Sequence, residues 1–308
     1  MKNPYAPSIV WLFPEAFLSH SESIDILSWP IENSRPLSSV QNSIISYVQH
    51  APIALCVREL NRLFVYQALS SRKGTPKPSP VLDVGCGDGF WWGLQKAENV
   101  YGIDISDEEL QQAAQMITAT HVDISKEVPY PTLRFPQIIG NCSLEHVRDI
   151  NAALKNLRAS ATEDAEFMLF VPTPSWAYQG LVQSFFLKKF PRLAMTVSGA
   201  LNGFFQHWHL YDLQVWKALL DDNGWEIKET FGLGNSRSEF IYRLFLPPAF
   251  FGFLMKSIFG VYPNRLLVYV PKFLLEPFCR LLAWALKNPL VPITDPSAYE
   301  WVIVAKAK

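Results

Sequence analysis

The stretch VLDVGCGDGFWWGL, residues 81 to 94, decides the fold because three glycines directly follow an apolar run that contains an acid. The run PVLDVG is typical of a buried strand, and GFWWGLQKA is typical of a helix that opens after the glycines. Several nucleotide-binding folds place a glycine-rich turn between such a strand and such a helix. The stretch therefore predicts a strand–loop–helix unit that holds a nucleotide cofactor.

The residues beyond this unit continue to alternate between strand and helix patterns. Strands are predicted in YGIDIS, ATHVDIS, PQIIGNCS, EFMLFVPTP, WEIKETFGLG and YEWVIVAKAK, and helices in DEELQQAAQMI, DINAALKNLRASA and DLQVWKALLDDNG. The last of these helices is expected to begin after Asp212 and to end at Gly224. This alternation predicts an α/β fold with a doubly wound, mostly parallel, seven-stranded sheet.

Composition divides the chain into four predicted segments. They are an N-terminal helical extension (1–75), a cofactor-binding α/β domain (76–239), a hydrophobic helical insert (240–294) and the final strand of the α/β domain (295–308). Helical spacing of apolar residues runs from about 40 to 70 and is broken at Pro52. The proline-rich SSRKGTPKPSP reads as the linker that follows.

The overall composition narrows the class of protein. The chain has 308 residues with a formal net charge of −1, which gives no indication of a nucleic-acid partner. Its four cysteines lack metal or redox spacing and indicate reduced thiols. The N-terminus lacks the cleavage site of a signal peptide, so a cytoplasmic location is expected.

The predicted insert is the most apolar part of the chain, yet charged residues and prolines interrupt it. No uninterrupted run reaches the roughly 20 apolar residues that a spanning helix needs. These charges include Arg243, Lys256, Arg265, Lys272, Glu276 and Arg280. A hydrophobic cap, a dimer interface, a lid over a lipophilic acceptor, and a segment in the membrane interface all remain open.

The details of the glycine-rich turn distinguish two cofactors. A dinucleotide site needs G-x-G-x-x-G, but the third position is Phe90 and the glycine comes one residue early, at Gly89. Asp83 lies two residues before the first glycine, where it would repel a pyrophosphate. A cofactor with an amino group and a cationic centre is therefore favoured.

This pattern resembles the class I S-adenosylmethionine (SAM) methyltransferases, whose first motif is acid-x-G-x-G-x-G. The resemblance covers about residues 80 to 232 and the last ten, and it implies a Rossmann-like fold with SAM as cofactor. It assigns Asp83, Gly85, Gly87 and Asn141 to the methionine part, Asp104 to the ribose, and Asp123 with Ile124 to the adenine. Cys86 and Ile105 are further predicted cofactor-binding residues. The side chain of Cys86 is expected to be a small packing group.

The segment HWHLYD contains the predicted catalytic residues His207, His209 and Tyr211. If the segment is extended, their spacing places all three on one side, and histidine is the usual base near neutral pH. A structural turn that braces the sheet is the equal alternative, and His146 is expected to be structural. Methyl transfer from a sulfonium needs no metal, so no metal site is expected.

These observations predict a SAM-dependent methyltransferase that acts on an oxygen or carbon of an apolar small molecule or lipid-like acceptor. Residues 240–294 add a possible contact with a membrane surface. The main alternative is a non-catalytic, membrane-associated subunit that keeps the fold, and a nicotinamide-dependent reductase is a distant third. The oligomeric state and the identity of the acceptor stay open.

Overall fold

Eight strands form one sheet. In chain order they are β1 (Val81–Val84), β2 (Val100–Asp104), β3 (Thr118–His121), β4 (Phe135–Asn141), β5 (Ala161–Pro172), β6 (Trp225–Leu233), β7 (Leu290–Val291) and β8 (Glu300–Ala307). The structure, a computed structural model, describes residues 37–71, 79–178 and 181–308. The start of the predicted N-terminal extension, the segment considered for a signal peptide, and the middle of the predicted linker lie outside these residues.

The sheet has the order β3-β2-β1-β4-β5-β8-β6-β7. The first five strands in this order are parallel, and β8 runs antiparallel to both of its neighbours. The predicted fold class is confirmed, but the sheet has eight strands rather than seven. The additional strand, β7, has two residues that pair with Gly232 and Leu233, and so short a strand leaves no periodic pattern in the sequence.

Ten α-helices lie in the described part of the chain. They are α1 (Leu37–His50), α2 (Ile53–Ser71), α3 (Phe90–Gln95), α4 (Asp107–Ala113), α5 (Ile150–Ser160), α6 (Leu181–Lys189), α7 (Pro191–Phe204), α8 (Leu213–Asp222), α9 (Ser236–Phe259) and α10 (Lys272–Ala285). Short 3₁₀ helices occupy Leu144–His146, Trp176–Tyr178 and Pro263–Tyr269. Helices α6 and α7 have no counterpart among the sequence predictions.

Local sequence signals explain several of these boundaries. The break between α1 and α2 falls at Pro52, as predicted. The Asp212 side chain caps α8 by accepting a hydrogen bond from the Val215 N–H at 3.0 Å, and Gly224 follows the helix with φ 82°. Helix α9 begins in a capping box formed by Asn235 and Ser238.

Helices cover both faces of the sheet, and alternate residues of a strand enter opposite cores. In β5, Met168 and Phe170 pack with the helices α1, α2, α9 and α10. Phe167 and Leu169 point the other way and pack with α5 and α8. The predicted doubly wound arrangement therefore has one core on each face.

The topology places the glycine-rich turn at the switch point of the sheet. Strand β1 pairs with β2 on one side and with β4 on the other, both in parallel. The carboxyl ends of these three strands therefore meet at one edge, and ligands of open α/β sheets bind there. Gly85, Asp104 and Asn141 all lie at this edge.

Candidate active site

The glycine-rich turn adopts a backbone that requires glycine. Gly85, Gly87 and Gly89 have φ angles of 74°, 54° and 72°, in the left-handed region that side chains disfavour. A Cβ atom at Gly85 would lie 2.4 Å from the Cβ of Ser143, whereas one at Gly87 would meet nothing within 4 Å. Gly85 therefore allows close packing, and Gly87 borders open space where a cofactor can approach.

Asp104, at the end of β2, supports the same turn. Its Oδ2 accepts a hydrogen bond from the Gly87 N–H at 3.0 Å, and its Oδ1 accepts one from the Ser106 N–H at 2.9 Å. A carboxylate has about four acceptor positions, so two remain for the hydroxyls of a ribose. The adjacent Ile105 is 69% exposed and offers an apolar surface beside that position.

Asp83 is buried beneath the turn, with 3% of its surface exposed. Its Oδ2 accepts a hydrogen bond from the Trp92 indole at 2.6 Å. One of the two tryptophans after the glycines therefore holds this carboxyl group in place. Its Oδ1 has no hydrogen-bond partner among the described residues. Burial, together with the charges of Asp104 and Glu59, raises the pKa of Asp83 to about 7.

The remaining predicted cofactor residues divide between the core and the surface. The Sγ of Cys86 packs against Gly102, and Ile124 is 5% exposed within the core, so these two side chains offer little to a ligand. Asp123 lies at the surface, where Ser125 and Lys126 bind its carboxylate at 2.6 and 2.9 Å. These two partners lower the pKa of Asp123.

A buried ionic network lies across the same edge of the sheet. Arg58 and Arg62 of α2 both bind the carboxylate of Glu300, the first residue of β8, and the Arg62 Nε–Glu300 Oε2 distance is 2.9 Å. Burial by itself raises the pKa of Glu300, but the two guanidinium groups outweigh burial and hold the pKa below its usual value. The network fixes α2 over the carboxyl end of the sheet.

Asn141, predicted to face the methionine part of the cofactor, belongs to this network. Its Oδ1 accepts a hydrogen bond from Arg62 at 2.8 Å, and its Nδ2 donates one to Glu59 at 3.2 Å. Sequence reasoning missed Arg58, Glu59 and Arg62. The available signal was three charged residues within an otherwise apolar helix, in CVRELNRLF.

Of the three predicted catalytic residues, His209 and Tyr211 contact each other, and His207 packs elsewhere. His209 binds the backbone oxygen of Val147 at 2.6 Å and the Tyr211 hydroxyl at 2.9 Å, so this pair braces the turn after β4. His207 instead packs against the ring of Trp176, with 4.8 Å between ring centroids. Burial and the nearby charges of Arg58 and His146 lower the pKa of His207 to about 3.

His207 also approaches the turn after β4. The ligand atoms of Glu145, His146 and His207 lie within 4.8 Å of one another. No sequence pattern indicated this cluster, because His207 is separated from the other two residues by helices α5 to α7. His146, predicted to be structural, is therefore placed beside two other groups that can bind a metal.

The insert forms part of the wall around the ionic network. Arg243 of α9 donates a hydrogen bond to the backbone oxygen of Trp176. The guanidinium of Arg58 lies 5.5 Å from the centroid of the Tyr242 ring. Helix α9 therefore packs directly beside the network at the edge of the sheet.

Comparison with known proteins identifies the family. A family model described as a methyltransferase domain matches residues 47–230, which is more than half of the chain. A search of curated proteins finds no match.

Similar solved structures include two methyltransferases. Magnesium protoporphyrin IX methyltransferase from Synechocystis, with bound S-adenosylhomocysteine, is 15% identical, with a TM-score of 0.46 and coverage of 83% of this chain and 86% of that one. A TehB-like SAM-dependent methyltransferase from Corynebacterium glutamicum is 14% identical, with a TM-score of 0.42 and coverage of 82% and 88%. The match to the family model carries the assignment: this chain belongs to the class I SAM-dependent methyltransferases, and its cofactor is SAM.

Proposed function

We propose that this methyltransferase transfers the methyl group to an oxygen or carbon of a lipophilic small molecule or lipid-like acceptor, which it meets at a membrane surface. The observation that supports this proposal is the apolar outer surface of the insert. Its large exposed side chains are Phe240, Leu244, Phe251, Leu254, Ile258, Phe259, Val261, Leu266, Val268, Tyr269, Phe273, Leu274, Leu281, Trp284 and Ile293. Exposed apolar surface on this scale is typical of an interaction site.

Helix α7 enlarges this surface. Its residue Phe204 packs against Phe250 of α9, with 4.8 Å between ring centroids. Leu193, Met195 and Val197 of the same helix are exposed. The surface therefore combines the insert with a helix that the sequence did not predict.

The charge of the insert favours an anionic membrane as the partner of this surface. Residues 240–294 contain six lysines and arginines and one acid, a net charge of +5, although the whole chain has a net charge of −1. Helices α6 and α7 add Lys188, Lys189 and Arg192 without any acid. Basic residues beside apolar ones are typical of segments that lie in a membrane interface.

Among the described residues, no single helix is long and apolar enough to cross a membrane. One bent pair, Ser236–Phe259 with Pro263–Tyr269, meets the requirements of length and composition when its two parts are taken together, with 93° between them. This sharp bend favours a segment that lies along the interface.

We expect the cofactor to bind at the edge of the sheet where strands β1, β2 and β4 have their carboxyl ends. In this proposal Asp104 binds the ribose hydroxyls with Ile105 beside them, and Asp123 binds the adenine amino group. The unpartnered oxygen of Asp83 accepts from the amino group of the methionine part. The glycine backbone from Gly85 to Gly87 allows the cofactor to approach closely.

We expect the acceptor to approach the cofactor from the side of the ionic network of Arg58, Arg62 and Glu300. Methyl transfer is an in-line displacement: the acceptor atom forms a bond to the methyl carbon while the bond from carbon to sulfur breaks. Positioning supplies much of the catalysis in such a reaction. Of the predicted catalytic residues, His207 packs against Trp176, over whose ring Arg58 of this network lies. Its low pKa keeps it neutral, so we assign it to positioning.

A methyl-transfer assay tests the proposal. Purified protein with radiolabelled SAM should methylate at least one member of a panel of phenols, quinols and fatty acids presented in detergent or vesicles. The Asp104→Ala variant should lose both SAM binding and turnover, whereas the surface variant Glu226→Gln should retain both.

The same assay distinguishes the main alternative. Binding of SAM by calorimetry without turnover on any acceptor would favour a non-catalytic, membrane-associated subunit. Turnover restricted to small polar acceptors would contradict the lipophilic substrate.

A further inference from the structure

We propose that Glu145, His146 and His207 bind one divalent transition-metal ion, such as Zn²⁺, beside the cofactor site. Two imidazoles and one carboxylate are a common ligand set for such ions. The three ligand atoms lie within 4.8 Å of one another. Ligands around a bound zinc are separated by about 3.5 Å, so small side-chain rotations complete the site.

Hydrogen bonds orient both imidazoles for this role. The Nδ1 of His146 lies 3.2 Å from the backbone oxygen of Gln206, which can only accept, so this Nδ1 carries the proton. The Nδ1 of His207 lies 3.4 Å from the amide oxygen of Asn202. A proton on Nδ1 of each ring would leave the lone pair of Nε2 for a ligand, as in histidines that bind metals.

The carboxylate of Glu145 supplies a second, independent indication. Glu145 is 1% exposed, and its Oε2 has no hydrogen-bond partner among the described residues. Its Oε1 lies 3.8 Å from the Nε2 of His146. Burial of an unpaired carboxylate is costly, and a cation between these atoms removes that cost.

The backbone holds the cluster rigidly. The N–H groups of Trp208 and His209 both donate to the backbone oxygen of Glu145, at 2.8 and 3.2 Å. This contact joins the loop after α7 to the turn after β4. The metal ligands therefore come from two segments whose relative position is fixed without the metal.

The position of the cluster gives the metal a role. Ser143, two residues before Glu145, packs against Gly85 of the cofactor turn. Three protein ligands leave at least one coordination position for water or an acceptor oxygen. The binding of an acceptor oxygen at the open position rests on the proposed function, whereas binding of the metal itself does not.

Metal titration of the full chain without SAM tests the proposal. Protein treated with a chelator should bind one equivalent of Zn²⁺ by calorimetry, and Co²⁺ should give a visible absorption band from its d–d transitions. Glu145→Gln and His207→Asn should each weaken the binding more than tenfold, because loss of even an outer partner of a ligand costs about tenfold to a hundredfold. His146→Gln is the third variant because this exposed residue can be changed with little effect on the core.

His121→Gln is the matched control, because His121 is exposed and lies outside the cluster. It should bind zinc like the wild type. Thermal melting without metal shows which variants are folded. Failure of the folded wild type to bind one equivalent, or equal binding by His146→Gln, would overturn the proposal and leave the methyltransferase assignment unaffected.

Discussion

Asp83 is held by the fold and also has an oxygen that no described residue binds. Its Oδ2 is fixed by Trp92, while its Oδ1 is buried without a partner among the described residues. The sequence predicted a cofactor role for Asp83 from its place before the glycines, and that role stays a prediction. It could not show that Trp92 returns from the next helix to hold the carboxylate, because that contact depends on how α3 packs against β1.

The raised pKa of Asp83 predicts a pH dependence of stability. In the unfolded chain Asp83 ionises near pH 4, but in the folded protein it stays protonated up to about pH 7. The folded state therefore binds the additional proton, and the free energy of unfolding falls between pH 4 and 7. Asp83→Asn should remove this contribution, which is up to about 4 kcal/mol.

Denaturant unfolding at pH 5 and pH 8 measures this effect. Asp83→Asn should gain stability relative to the wild type at pH 8, and the surface variant Asp222→Asn should not. In the wild type, SAM affinity should rise as the pH increases through 7, because the ionised carboxylate attracts the amino group. If Asp83→Asn shows the same pH dependence of stability and of SAM affinity as the wild type, this role for Asp83 is contradicted.

Helix α2 and strand β8 are joined by the pair of arginines on Glu300. These elements are more than 200 residues apart in the chain, yet the contact is almost completely buried. The sequence predicted both elements correctly, but the pairing between them depends on the antiparallel entry of β8 between β5 and β6. The carboxyl group thereby reaches the same edge as Asn141.

Removal of the charge at Glu300 should destabilise the protein strongly. Glu300→Gln removes the negative charge that the two buried guanidinium groups bind. Breaking such a buried ion pair costs about 3–5 kcal/mol. Because the pKa of Glu300 is lowered, its contribution is present above its ordinary pKa and is lost as the pH falls through the lowered value. The difference between wild type and variant should therefore decrease in acid.

Thermal or denaturant unfolding between pH 3 and pH 7 checks this prediction. Glu226→Gln is the matched control, because Glu226 forms a surface ion pair with Lys228 on β6 and such pairs contribute at most about 1 kcal/mol. Equal destabilisation by the two variants would show that the buried network does not stabilise the fold.

The insert differs from the α/β domain in its charge and in its exposed apolar surface. The insert has a net charge of +5 and most of the large exposed apolar residues, while the α/β domain contains the cofactor turn. Sequence composition identified the insert as apolar. Only the structure showed that many of its side chains face outward and that α7 joins the same surface.

Vesicle flotation measures the contribution of this surface. The protein should float with vesicles that contain phosphatidylserine and bind less to neutral vesicles or at high salt. The double change of Phe273→Ser and Leu274→Ser should lower partitioning at least tenfold, or about 1.4 kcal/mol, because both side chains are exposed on α10.

Val215→Ser is the control for flotation, because Val215 is an exposed apolar residue on α8, away from the insert. It should leave partitioning unchanged. If neither type of vesicle binds the wild type, the apolar surface has a different partner and the membrane part of the proposal is wrong.

The strands and helices of the α/β domain were predictable because their signals are local. Apolar runs, the glycines of the turn and the cap at Asp212 act over a few residues, and the structure confirms the elements that they predict. Helices α6 and α7 were missed, and β7 was too short to produce a pattern. The order of motifs also indicated the cofactor, since the glycines and acids of the turn lie close together in the chain.

Contacts between distant segments required the tertiary structure. The network on Glu300, the cluster of Glu145, His146 and His207, and the separation of His207 from His209 and Tyr211 all depend on how helices pack on the sheet. Side chains far apart in the chain meet only when the hydrophobic cores fix the elements in place, and no local pattern encodes such a meeting. The amino-acid pattern thus identified the methyl donor, and the packing of helices on the sheet created the buried network and the histidine cluster beside the turn.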